Sequence, residues 1–193
     1  ESANGKYPVQ AAQTMAKIAQ TAEKKINYDN LLERKREAHI QNVPNAISLA
    51  TCTTASELNA SAIITATQSG HTARMVAKYR PECHIIAVTP SHRVARSLAL
   101  NWGVYPITAK RANSTDELIE NSVNIALKSG YVQKGDLVVI AAGIPVSYSG
   151  TTNMLKVHIV GDILVQGRGA GIRPGYGNVK VVGSPKESDE IVE

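Results

Sequence analysis

The feature that most constrains this chain is an alternation, from residue 61 to residue 141, of short near-continuous apolar runs with longer segments of helical periodicity. The runs 61–66, 84–89, 104–108 and 136–141 predict strands, and the segments 71–79, 91–100 and 114–129 between them predict helices. A strand that is apolar on both sides must be covered on both sides, and a parallel sheet with crossover helices does this. A last run, 153–160, follows a loop too short to contain a crossover helix, so it is expected antiparallel to its predecessor at one edge. The fold class implied is α/β: a three-layer α/β/α domain with a mainly parallel five-stranded sheet and an antiparallel edge strand.

Three helices are expected ahead of the first strand. Pro8 to Ile26 carries Val9, Ala12, Met15, Ala16, Ala19 and Ala22 at helical spacing, with Pro8 suited to a first turn. A short helix around Asp29 to Glu37 follows, and Asn45 is the expected cap of a third helix running to Glu57. Further on, Ser91 and Ser114 are expected N-caps, the second with Glu117 placed to complete a capping box, and Lys128-Ser129-Gly130 reads as a helix stop.

With 193 residues, 43% of them apolar, the chain can bury one good core. Its net charge of +5 is scattered. Lys24, Lys25, Arg34, Lys35 and Arg36 lie beside Glu23, Glu33 and Glu37 in helical sequence without interleaved aromatics, so they read as a solvated face, and no nucleic-acid partner is expected. Cys52 and Cys83 form neither a disulfide framework nor a metal spacing, and are expected to be buried thiols in a reducing cytoplasm. No apolar run approaches the roughly 20 residues that span a bilayer, so no membrane partner is expected.

The segment Thr67-Gln68-Ser69-Gly70-His71-Thr72 joins a buried strand to a helix start. Its hydroxyls and backbone N–H groups, with a glycine that lets the chain close on a ligand, suit a phosphate. No Gly-x-x-x-x-Gly-Lys-Ser/Thr pattern is present, and no nearby Asp or Glu could hold magnesium, so the loop reads as one that binds without reacting. In a doubly wound sheet, ligands bind outside the carboxyl ends of the strands, which lets the loop 143–152 converge on the same ligand through Ser147, Ser149, Gly150 and Thr151.

Ala66 to Ala73, followed by Tyr79-Arg80-Pro81, resembles the effector loop of the C-terminal domain of the pyruvate kinase family. Three further segments agree in the same order: Glu1-Ser2-Ala3-Asn4-Gly5-Lys6-Tyr7-Pro8, Lys134-Gly135-Asp136 with the strand after it, and Ser149-Gly150-Thr151-Thr152-Asn153 with Lys156-Val157. The resemblance covers residues 1–169 and implies a regulatory, effector-binding and tetramer-interface domain of a cytoplasmic enzyme that transfers phosphate from phosphoenolpyruvate to ADP. It also implies that the catalytic barrel, with its magnesium and potassium, lies ahead of Glu1, so this chain is expected to be an excised fragment, inactive alone and without a cofactor of its own. Residues 170–193 resemble the linker and truncated start of the extra, phosphohistidine-like C-terminal domain of some bacterial members, and the Gly-x-Gly-x-Gly of 167–171 is expected to be a hinge.

Family members activated by a sugar bisphosphate carry a Trp and an Arg near the helix corresponding to 114–129. This chain has Ser122 at the Arg position and no Trp there. A second phosphate is expected to meet Asp116, Glu117 and Glu120, so the implied effector is a monophosphate such as AMP, ribose 5-phosphate or glucose 6-phosphate. His71 is expected either to pair with the phosphate when protonated or to face solvent, while Trp102, Tyr28 and Tyr105 read as packing residues. Two other classes stay open at this point. One is a purely structural tetramerisation module, joined through the apolar edge strand 153–160 of a second copy. The other is a phosphatase or isomerase, which lacks candidates because His71 is the only His, Asp or Glu in the two loops.

Overall fold

The structure is a computed structural model, and it describes residues 4–37, 41–144 and 151–161. All of these belong to the first of two units into which the chain divides, Glu1–Gly161. The domain boundary expected at 169/170 lies outside the described residues. Helices α1 (Pro8–Glu23), α2 (Tyr28–Glu37) and α3 (Val43–Glu57) come first. They are followed by β1 (Ala62–Ala66), α4 (His71–Ala77), β2 (His84–Thr89), α5 (His92–Leu98), β3 (Val104–Thr108), α6 (Thr115–Lys128), β4 (Leu137–Ala142) and β5 (Met154–Ile159). Among the described residues no helix is long and apolar enough to cross a membrane.

The five strands form one sheet in the order β3-β2-β1-β4-β5. β1 pairs parallel with β2 on one side and with β4 on the other, with Ile64 opposite Ile86 and Ile140. β3 extends the parallel run, and β5 pairs antiparallel with β4, with Val157 opposite Val139. The expected antiparallel edge is therefore observed, and the fold class is the one expected. The exposed edge at β3 carries Pro106, which cannot donate to a further strand.

Because side chains alternate across a strand, each strand supplies two cores. Ile63, Ile85, Ala87, Val104, Val139 and Ala141 face Cys52 and Ala55 of α3, Ala73 and Val76 of α4 and Leu98 of α5. Ala62, Ile64, Ile86, Val88, Val138 and Ile140 face Ile119, Val123 and Ala126 of α6. The crossover rule accounts for the split. Passing from β1 to β2 to β3 runs one way across the sheet, the return to β4 runs the other way, and connections of one hand then place α6 on the opposite face.

Local chemistry sets the helix ends. Asn42, not Asn45, caps α3: its side chain accepts the Asn45 N–H at 3.0 Å, with Pro44 in the first turn. Asn45 is instead buried inside the helix, where its side-chain oxygen accepts from Lys78 Nζ at 3.0 Å and its carbonyl accepts from the Tyr79 hydroxyl at 3.2 Å. Ser91 and Ser114 cap α5 and α6 as expected. The returning arm of the capping box goes one residue further out, because the Glu117 carboxylate accepts the N–H of Asn113 and not that of Ser114. Asn59 and Arg80 take left-handed backbone at the ends of α3 and α4, the position where helices turn out.

One expectation, the burial of Cys83, needs adjusting, and two other readings gain detail. The helical spacing of α1 is real, yet none of its residues is buried, and Val9, Met15 and Ile18 stay exposed. Trp102 packs against the Arg80 guanidinium, 4.9 Å from its ring centre, and against Tyr28. Cys83 is only half-buried, whereas Cys52 is in the core. Burial pushes both thiols up, Cys83 to about 11 and Cys52 further.

On β5, burial and then the charge of Lys156 hold the His158 imidazole below its usual range. The unfolded chain therefore takes up this proton first, and the corresponding stability is lost as pH falls from about 6.5 through the folded value. The stability difference between pH 7.5 and pH 5.5, read by urea unfolding, should be smaller for His158→Gln than for the wild type; equal differences would clear His158 of the effect. Tyr79→Phe, which removes the hydroxyl's bond to the buried Asn45 carbonyl, should lower the unfolding free energy by about 1 kcal/mol, and an unchanged midpoint would show that the bond contributes nothing net.

Candidate functional site

Strand β1 continues for one rung beyond its end, where the Thr67 N–H donates to the Val88 carbonyl at 3.0 Å. The chain then turns on itself. The Thr67 hydroxyl oxygen accepts the Gly70 N–H at 3.0 Å, and the Arg74 guanidinium donates back to the Ser69 carbonyl at 2.8 Å. Gly70 has φ +81°, and a Cβ there would lie 2.7 Å from the Arg74 guanidinium, 3.1 Å from Val94 and 3.2 Å from Leu98. Both the backbone sign and the space call for glycine.

The second arm comes from the far edge of the sheet. Thr152, fully buried, shares a hydroxyl–hydroxyl hydrogen bond of 2.9 Å with Thr72, itself 3% exposed. Asn153 closes the base of the loop between β4 and β5 by accepting the Ile144 N–H at 2.7 Å and donating to the Ile144 carbonyl at 2.6 Å. A side chain at Gly143 would overlap the Thr151 carbonyl, so the two arms of that loop can approach only because residue 143 is glycine.

Between these arms and the end of β3 lies a cleft, open to solvent, at the carboxyl ends of the parallel strands. Thr67, Gln68, Thr72 and Thr151 line it, as do Lys110 and Arg111. Ala66, Val88, Pro90, Ala109, Ala112 and Leu118 give it an apolar floor and wall. A threonine hydroxyl that already accepts one bond keeps its own proton to donate, so Thr67 remains a donor toward a ligand. Among the described residues the lining offers hydroxyl, amide, ammonium and guanidinium groups and no carboxylate, imidazole or thiol. Such a set suits a polar, anionic molecule.

Of the residues expected at the site, Thr67, Gln68, Thr72 and Thr151 come together in the cleft. Ser69, Gly70 and His71 belong to the same loop without lining it. Ser147, Ser149 and Gly150 lie outside the described residues. Asp116, Glu117 and Glu120 do not line the cleft, although they had been expected to meet a second phosphate. Four residues were missed as site residues. Thr152 and Asn153 stand next to Thr151 in the same motif, and their signal was there to be used. Lys110 and Arg111 carried none, since only the pairing of β3 beyond β2 brings the end of that strand to this crevice.

Residues 45–158 match the family described as pyruvate kinase, alpha/beta domain. A pyruvate kinase from Clostridium acetobutylicum is 62% identical over 160 residues, covering 83% of this chain and 34% of that protein. One from Geobacillus stearothermophilus is 43% identical over 188 residues, covering 97% and 32% respectively. A crystal structure of a pyruvate kinase from Cryptosporidium parvum aligns with a TM-score of 0.73 and 30% identity over 83% of this chain and 32% of that one. The chain spans about a third of the length of the curated relatives it matches. This chain belongs to the pyruvate kinase family, and its residues 45–158 are that family's alpha/beta domain.

Proposed function

We propose that this domain binds a phosphorylated small-molecule effector and biases a homotetrameric, cytoplasmic pyruvate kinase between two states. The parent reaction is phosphoryl transfer from phosphoenolpyruvate to ADP in glycolysis, with magnesium and potassium held in the catalytic barrel, and no catalytic residue is assigned to this chain. The observation that carries the effector reading is the cleft at the reversal of strand order, where hydroxyls, an amide and two cations converge, with no carboxylate among the described residues. Such crevices are where doubly wound sheets bind ligands, and a basic, hydroxyl-rich lining favours phosphate. Regulation then requires that the effector bind one state of the assembly better than the other.

AMP, ribose 5-phosphate and glucose 6-phosphate are the starting candidates. In calorimetric titrations at least one should bind in the micromolar range. Thr67→Ala and Thr72→Ala should each weaken it by about 1–3 kcal/mol, through loss of a donor and of the Thr72–Thr152 link respectively. No heat with any phosphorylated ligand, or affinity unmoved by both substitutions, would overturn the reading.

A structural role has its own support. Val157 and Ile159 on the edge strand β5 are 40% and 47% exposed, and pairing with β5 of a second copy would cover them. In sedimentation velocity Val157→Lys should shift the protein towards a smaller species; an unchanged distribution would remove β5 from the interface.

A further inference from the structure

The aromatic side chains of this chain are few and unevenly placed. It has seven Tyr, one Trp and no Phe. Half of these rings, Tyr28, Trp102, Tyr105 and Tyr131, gather near the amino ends of β2 and β3, at the opposite end of the sheet from the effector cleft. Tyr28 and Trp102 form one tilted pair, ring centres 6.2 Å apart. Tyr105 and His84 form another at 4.8 Å, extended by Tyr131 at 5.1 Å. Tyr28, Trp102, Tyr105 and His84 line one cavity, and Tyr105 and His84 keep it open to solvent. Gly103 lines it too, and a Cβ there would meet no atom within 4 Å, so there is room beside the β3 backbone.

Charge in this cavity is of one sign. Glu23, the last residue of α1, and Glu82, two residues before β2, line it, and among the described residues no Lys or Arg does. The one ion pair among the described residues, Arg36 with Glu33, lies on α2, so neither carboxylate is ion-paired there. Both act on the same ring: burial, and then the charges of Glu23 and Glu82, hold the Tyr28 hydroxyl above its usual range. Ring faces and carboxylates together attract a cation. The chain itself supplies an example, since the Arg80 guanidinium lies 4.9 Å from the Trp102 ring centre. Arg80 does so from the neighbouring cavity, which it lines together with Asp29, and not from this one.

We propose that this cavity is a second ligand site, independent of the effector cleft, and that it takes a small organic cation with an alkylated ammonium head. The head sits against the rings of Tyr28, Trp102 and Tyr105, and Glu23 and Glu82 supply the opposite charge. Alkylation decides the class, because a bare ammonium is strongly hydrated through its N–H groups, whereas a methylated one gives up little on leaving water for ring faces. A carboxylate on the ligand would meet Glu23 and Glu82, so the site selects against zwitterions.

Trp102 is the only Trp of the chain, so its fluorescence reports on the cavity directly. The chain is titrated with choline, with its uncharged isostere 3,3-dimethyl-1-butanol and with the zwitterion glycine betaine. Binding is read by Trp102 emission and by saturation-transfer NMR of the ligand methyl groups. Choline should change the emission saturably and bind about fivefold tighter than either comparison ligand. Glu82→Gln and Tyr28→Leu, each checked by its melting curve, should weaken choline by about threefold or more. Glu82 is exposed, so its substitution reads the charge without disturbing the core. Absence of saturable choline binding in both readouts, equal binding of the isostere or of betaine, or an affinity that neither substitution moves would each overturn the proposal.

Discussion

The reversal of strand order beside β1 is the constraint on which the rest of the structure depends. β1 is hydrogen-bonded on both sides, to β2 and to β4, and every residue of it is buried. Chains leaving the carboxyl ends of β1 and β4 must turn away from each other, because the next connections lie on opposite sides of the sheet. The crevice lies between those turns and the end of β3. It exists because of strand order, and any sequence obeying the same order would leave one there.

A few polar contacts convert that gap into a shaped site. The hydroxyl bond between Thr72 and Thr152 joins residues 80 positions apart, in a place closed to water. A buried hydroxyl without a partner would be costly, so the pair holds the start of α4 and the approach to β5 in one arrangement. Asn45, Lys78 and Tyr79 do the same for the opposite end of α4, tying it to α3. The seven-residue α4 is thus fixed at both ends by side chains that belong to other segments. Gly70 and Gly143 work by what they lack, since a side chain at either would meet a neighbour already in place.

Much of the architecture was legible because burial leaves a pattern. Ile63, Ile64, Ile85, Ile86, Val138 and Val139 lie in runs that only a sheet covered on both faces can bury, and each is fully buried. Helix ends were legible where one side chain acts on its own backbone, as at Ser91 and Ser114. They were misread where two choices stood close together: Asn42 and Asn45 are both competent caps, and Asn42 prevails because Pro44 suits the first turn while the Asn45 side chain finds partners in Lys78 and Tyr79. The apolar spacing of α1 shows that periodicity predicts a helix without showing what, if anything, covers its face.

The sequence alone determined the elements, the two-sided burial of the strands, the antiparallel edge and the loop chemistry around Thr67 to Thr72, because each of these follows from neighbours within one or two turns or strand lengths. Only the tertiary structure decided which residues share the crevice. Lys110 and Arg111 reach it because β3 pairs with β2, and Thr152 reaches Thr72 because β5 returns along β4. Such meetings depend on strand order and register summed over the whole sheet, and no local pattern in a chain encodes them.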